Sequence, residues 1–245
     1  MRIARALALA GIDSRRKCEI HVTNGAVSLN GEVVRDLGRQ VDPEEDAICF
    51  RGRPVHFPPH VYYVLHKPVG YTTTASDPHA AKTVYHLLPR TLISGSRQPR
   101  PSRTRVFPVG RLDRDSSGLL LFTNDGELAN RLMHPRYKIG KWYEVRLGRA
   151  FDARDGRRLT AGVGLEEGMA RVQKFPRLTR RMLRVLLCEG KKREVRRIFE
   201  KLAYRVTELR RISFGPLQLG DLPPGRGRPL RPEELRALQR TPRGV

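Results

Sequence analysis

The run Leu119-Leu120-Leu121-Phe122 constrains the fold of this chain more than any other part of its sequence. It is unbroken, entered from a turn dense in Gly, Asp and Ser (Gly110 through Gly118) and left through Asn124-Asp125-Gly126. Bounded so closely by turn residues, it is too short for a helix and reads as a buried strand over 118–123. Further strand-like runs occur at 61–65, 105–109, 142–147, 183–188 and 205–213. Helical patterns are interleaved with them. The segment 125–133 sets Leu128 and Leu132 four apart, and 192–202 places Val195, Phe199 and Leu202 on one stripe, away from its arginines. Mixed order of this kind predicts an α+β domain built on a large sheet over residues 60–240. The hydrophobic content of 39% is enough to fill its core.

Residues 1–59 follow a different grammar and form a second, smaller unit with its linker. Ile3, Ala6, Leu7 and Ala10 mark a short helix that Gly11 ends. Ser14 is placed to cap a second helix through Arg15, Arg16, Lys17 and Ile20 to the Asn24-Gly25 stop. Val27, Leu29 and Val33 alternate around Asn30-Gly31, a tight two-residue hairpin turn, and Ile48 and Phe50 suggest another strand. His56 to Pro59 read as a Pro-containing linker. Arg15, Arg16 and Lys17 make one cationic corner, which is also what a solvated helix face looks like. Two stretches lack periodicity. Residues 89–104 hold Ser, Pro, Gly and Arg and read as a long insertion or lid. The tail from Pro223 is again rich in Pro, Gly and Arg, although Pro232-Glu233-Glu234 can start a last helix.

Charge narrows the partner. Forty-eight Lys and Arg against 25 Asp and Glu leave a formal +23, a self-repulsion that a polyanion relieves and that attracts phosphates at long range. Nucleic acid is the favoured partner, against the plainer reading of a basic soluble surface. Cys18, Cys49 and Cys188 are odd in number and lack metal-ligand spacing, which argues against disulfides and metal and for a reducing, cytoplasmic compartment. No apolar stretch approaches the roughly 18 residues of a membrane helix. Arg2 and Arg5 interrupt the N-terminus before any signal-like core forms.

The turn before the central strand carries the most chemistry. For Asp115 and Asp125 the plainer alternative is that each simply caps a loop. Asp113 has Arg111 and Arg114 close by in sequence, and a carboxylate held ionised beside guanidinium groups suits electrostatic or nucleophilic work.

This stretch, Gly110-Arg111-Leu112-Asp113-Arg114-Asp115-Ser116-Ser117-Gly118, resembles the signature of the RsuA/RluB-type ribosomal RNA pseudouridine synthases. Three more segments agree in order: Leu65-His66-Lys67-Pro68-Val69-Gly70, then His134-Pro135-Arg136-Tyr137 with Lys141-Trp142-Tyr143-Glu144-Val145, then Glu189-Gly190-Lys191-Lys192-Arg193-Glu194-Val195-Arg196-Arg197-Ile198. Residues 10–17 and 25–33 in turn resemble the alpha-L RNA-binding motif. The resemblance implies a small basic module joined to a catalytic domain with a central mixed, mainly antiparallel sheet. It implies Asp113 as nucleophile in a cleft across that sheet, Tyr143 stacked on the target base, and Arg196 paired with the Asp113 carboxylate. RNA contacts are expected from Arg15, Arg16, Lys17, Arg111, Lys141, Lys192, Arg193 and Arg197. The reaction breaks the bond from ribose to N1, turns the uracil and joins C5 to the sugar. No atom is gained or lost, so no cofactor and no metal are expected. Attack at C1′, attack at C6 and a glycal route all remain open. The His134 to Tyr137 block is closer to the branch acting on large-subunit (23S) rRNA, and the chain is expected to act as a monomer.

Four positions depart from that pattern. Trp142 stands where a small or hydroxyl residue is commoner and is expected to alter the pocket shape or the RNA docking beside Tyr143. Glu194 stands where glutamine is common, Ser116 replaces threonine, and 89–104 is longer and more basic than usual and is expected to contact RNA. Two rival readings compete. A non-catalytic RNA-binding assembly factor explains the charge but not Asp113, Tyr143 and Arg196 together. A glycosidase-like hydrolase needs a second cooperating acid, and no persuasive one is present.

Overall fold

The N-terminal helices form where the periodicity places them. In the computed structural model, which describes residues 1–74, 82–93 and 105–241, α1 (Ile3–Leu9) buries Ile3, Ala6 and Leu7. The chain then turns at Gly11, whose φ of +79° an L side chain rarely adopts. α2 (Arg15–Thr23) begins at Ser14, whose hydroxyl accepts from the Lys17 N–H at 3.4 Å. β1 (Val27–Leu29) and β2 (Glu32–Val33) pair across Asn30 and Gly31, with φ of +52° and +90°, the handedness a two-residue hairpin requires. β3 (Ile48–Phe50) and β4 (Arg53–Pro54) complete a four-stranded sheet in the order β2-β1-β3-β4. Leu7, Cys18, Val22, Val27, Leu29 and Ile48 form its core. This unit comprises Met1–Val61, Pro89–Val106 and Asn124–Gly126.

The second unit comprises Tyr62–Leu88, Phe107–Thr123 and Glu127–Val245. Its elements in chain order are β5 (Tyr62–Lys67), β6 (Phe107–Val109), β7 (Ser117–Thr123), α3 (Gly126–Met133), β8 (Lys141–Leu147), α4 (Gly156–Ala161), β9 (Val163–Leu165), β10 (Gly168–Ala170), β11 (Met182–Leu187), α5 (Glu194–Lys201), β12 (Val206–Phe214), β13 (Leu217–Gln218), β14 (Gly227–Pro229) and α6 (Pro232–Gln239). Strands β11-β8-β12-β7-β5-β14 make one sheet in that order, with β6 on β7 and β13 on β12. Only β7 and β12 run parallel; the other described pairs are antiparallel, the mixed and mainly antiparallel sheet that was expected.

Two cores cover this sheet. Val145, Val185 and Leu209 pack with Val195, Ile198 and Phe199 of α5. Val64, Leu119 and Leu121 pack with Leu128 and Leu132 of α3 and Leu238 of α6. The stripe read from 192–202 is thus the buried face of α5. Glycine at position 118 lets the parallel pair approach this closely. Gly118 has φ +116°, and a Cβ there would lie 2.2 Å from the Arg211 carbonyl oxygen.

The elements missed by the sequence reading (β4, β9, β10, β13, β14 and α4) are two to six residues long, too short for a period to show. The expectation for 89–104 concerns mainly 94–104, which lie outside the described residues. Cys18, Cys49 and Cys188 are free thiols. Among the described residues no helix is long and apolar enough to cross a membrane.

Candidate active site

A cleft of about 770 Å³ opens on the second unit, lined from both of its cores by Val195 and Leu209 and by Val109, Leu132 and Phe214. Asp113, Tyr143, Lys141, Glu194 and Arg211 bring polar groups to it. Each is there for a local reason.

Asp113 sits in the loop from β6 to β7, and backbone contacts hold that loop from several sides. Lys67, the last residue of β5, is fully buried and donates from Nζ to the carbonyls of Pro68 (3.1 Å), Asp113 (2.9 Å) and Ser116 (2.6 Å). Its desolvation pulls the pKa down to about 8, although Asp113 and Asp115 oppose that. Thr73 Oγ1 donates to Leu112 O at 2.7 Å and accepts from its N–H at 3.3 Å. The Gly70 N–H donates to Arg114 O at 2.7 Å. Asp115 anchors the loop to α5. Arg193 grips its carboxylate through two hydrogen bonds of 3.1 and 3.2 Å, while Arg196 Nε lies 3.1 Å from Oδ2. Arg196 also donates from Nη2 to the Asp115 carbonyl (2.8 Å) and from Nη1 to Val206 O (2.9 Å). Burial raises the Asp115 pKa, but Arg193 and Arg196 outweigh it and the net shift is downward.

This corrects two readings. Arg196 pairs with Asp115 and not with Asp113, because the side chain is already held by the Val206 carbonyl and meets the loop at its later acid. Asp115 is no cap; it is the joint between the loop and α5. Asp113 is left half-buried with no ion pair among the described residues.

Strand alternation decides the rest. Tyr143 on β8 lines the cleft, whereas Trp142 points to the other side of the sheet and is not among its lining residues. Trp142 therefore does not line the pocket, which leaves RNA docking beside Tyr143 as the effect expected of it. Lys141 shares the Tyr143 face. Its ammonium donates to Glu189 O at 2.9 Å and lies 5.7 Å from the Phe214 ring centre. Desolvation, aided by Arg211, lowers its pKa. Arg211 on β12 is 2% exposed, donates from Nε to Leu119 O at 2.8 Å, and leaves Nη2 without a partner among the described residues. No role was read for Arg211 from the sequence. The signal was an arginine between Leu209 and Ser213, on the inward-facing parity of a strand.

The residues expected to touch RNA divide into two groups. Arg111 and Lys192 are exposed at the cleft. Arg193, Arg197 and Lys141 already have partners inside the protein: Asp115, Glu167 (2.7 Å) and the Glu189 carbonyl. On α2, Arg15 pairs with Glu19 at 3.5 Å and Lys17 with Asp13 at 3.7 Å, while Arg16 is exposed without an ion pair among the described residues. No group of three or more His, Cys, Asp or Glu is placed to hold a metal ion among those residues.

Comparison with known proteins identifies the family. A family model described as RNA pseudouridylate synthase matches residues 61–201, and an S4 domain model matches residues 1–48. The chain is 39% identical over 244 residues to an uncharacterised RNA pseudouridine synthase of Aquifex aeolicus, covering 97% of this chain and 93% of that one. It is 36% identical to the ribosomal large subunit pseudouridine synthase B of Bacillus subtilis, covering 97% and 95% of the two chains. A crystal structure of a pseudouridylate synthase superposes with a TM-score of 0.68 at 26% identity, over 97% of this chain and 99% of that one. This chain therefore belongs to the RNA pseudouridine synthase family and carries an S4 domain at its N-terminus.

Proposed function

We propose that the chain converts one uridine of large-subunit ribosomal RNA to pseudouridine, with Asp113 as nucleophile. The observation that carries this is a contrast inside one loop. The backbone around Asp113 is clamped by Lys67 and Thr73, and Asp115 is occupied by Arg193 and Arg196. The Asp113 carboxylate alone is left without an ion pair, at a cleft with room for a nucleoside. A group so fixed and so unengaged is suited to attack. The large-subunit assignment rests on the name of the Bacillus subtilis relative.

The chemistry asks little more of the protein. The N1–C1′ bond breaks, the uracil turns, C5 bonds to C1′, C5 loses a proton and N1 gains one. Tyr143 stacks on the extruded base, an interaction typically worth about 1–3 kcal/mol, which offsets part of the cost of unstacking it. Arg211 and Lys141 supply positive charge beside the departing uracil. Arg196 acts through Asp115 as a positioning residue. Arg111 and Lys192 at the cleft and Arg15, Arg16 and Lys17 on the S4 domain hold the RNA backbone, and the enzyme works as a cytoplasmic monomer. The test is a map of pseudouridines in rRNA from a strain lacking the protein, complemented with wild type or Asp113→Asn. One site that disappears and returns only with wild type supports the proposal. No altered site refutes the rRNA assignment, and rescue by Asp113→Asn refutes the nucleophile.

A further inference from the structure

Glu194 has no part in the chemistry above, and its surroundings differ from those of the other carboxylates here. Asp115 holds two guanidinium groups, and so does Glu144, with Arg184 and Arg210. Glu194 is 6% exposed, lines the cleft as the first residue of α5, and forms no ion pair among the described residues. Its Oε2 accepts from the Lys191 N–H at 3.3 Å, while its buried Oε1 has no donor among the described residues.

The charged groups that face it are Lys141 of β8, Glu189 and Lys191 of the preceding turn, and Arg197 one turn along α5; Arg211 and Cys188 face Lys141 in their turn. The cations among its neighbours are engaged elsewhere. Lys141 bonds the Glu189 carbonyl at 2.9 Å, Lys191 pairs with the Glu189 carboxylate at 2.6 Å, and Arg197 pairs with Glu167 at 2.7 Å. A buried carboxylate with an orphaned oxygen and no free cation is unfavourable, and the uncharged acid is much less so.

We propose that Glu194 is a positioning residue of this cleft that works as the uncharged acid. In that form it ties down the 191–193 turn without setting an anion beside Lys141, whose charge and that of Arg211 then face the anionic RNA and the departing uracil undiminished. Burial, reinforced by Glu189, pushes its pKa up to about 7, against the pull of the Lys191 N–H and of the Lys191 and Lys141 ammonium groups. Above that pH the ionised side chain opposes the field of the cleft and draws Lys141 away from the Glu189 carbonyl. This inference rests on the synthase reading of the same cleft.

The test compares wild type with Glu194→Gln in single-turnover pseudouridine formation on an rRNA fragment between pH 6 and 8. In parallel, isotope-edited NMR follows side-chain carboxyl titration in the full-length protein, with the Glu194 signal assigned by its loss in the variant. Ionisation of one required acid with a midpoint near 7 lowers the wild-type rate roughly tenfold over that range. The ratio of variant to wild-type rate rises by the same factor. Parallel pH profiles overturn the proposal, as does a Glu194 midpoint below about pH 5. If wild type modifies no rRNA at all, the synthase reading fails first and the proposed role fails with it. The NMR midpoint then separates that outcome from a wrong protonation state.

Discussion

Replacing Gly118 with alanine perturbs the joint on which the cleft depends, and its cost can be worked from the geometry. The new Cβ would stand 2.2 Å from Arg211 O and 2.5 Å from Arg211 N, so β7 and β12 must separate by roughly 1 Å to restore ordinary contact. No side-chain rotation relieves this, because both clashing atoms belong to the backbone. Holding an L residue at φ +116° adds about 1–3 kcal/mol. Separation weakens the parallel pairing at Arg210–Ser117 and Arg211–Gly118, where each lost hydrogen bond costs about 1 kcal/mol. It also disturbs the bond from Arg211 Nε to Leu119 O, which is buried. We expect a loss of about 3–5 kcal/mol, a large share of the stability of an ordinary domain. Urea titration followed by circular dichroism reads this as a fall in the midpoint at unchanged slope. Gly164→Ala, where nothing lies within 4 Å of the added carbon, is the control and stays within about 0.5 kcal/mol. A loss under about 1 kcal/mol for Gly118→Ala would refute the argument that the close approach of β12 requires glycine.

Three further outcomes are expected. Lys67→Met orphans three loop carbonyls that one buried ammonium now satisfies; we expect about 2–4 kcal/mol of destabilisation in the same titration, and a change below 1 kcal/mol contradicts the clamp. Asp115→Ala removes ion pairs whose members are partly exposed, so stability should change by about 1 kcal/mol or less while kcat falls at least roughly tenfold; equal losses in both would make Asp115 merely structural. For Glu194 the folded pKa, about 7, lies above its usual 4.5, so the native state binds the extra proton. Its stabilising contribution is full below pH 4.5 and is lost as pH rises through 7, with an upper bound of about 3 kcal/mol. Melting curves of Glu194→Gln should therefore match wild type near pH 5 and exceed it at pH 8, and a gain at pH 5 alone contradicts this.

Much of the fold is legible from local pattern. Hairpin chemistry at Asn30-Gly31, the Ser14 cap, the apolar run at 119–122 and the α5 stripe each state their structure within a few residues. Local sterics and periodicity act there, and they need no distant partner. The candidate nucleophile is likewise approachable, because Asp113 stands in a turn of recognisable composition before the central strand.

What the linear order does not contain is which charges meet. Asp115 and Arg196 are 81 residues apart, and whether Arg196 reaches Asp113 or Asp115 depends on where α5 lands against the loop. Arg211 becomes part of the cleft because β12 runs parallel to β7 and a glycine lets it approach; in sequence it is one more arginine among 48 basic residues. Burial decides the remainder. Lys67 and Glu194 look like surface charges until the sheet and α5 close over them, and desolvation then moves both pKa values toward neutrality. Short-range stereochemistry is written residue by residue, whereas ion pairing and desolvation are properties of the assembled interior, and only the tertiary structure determined them.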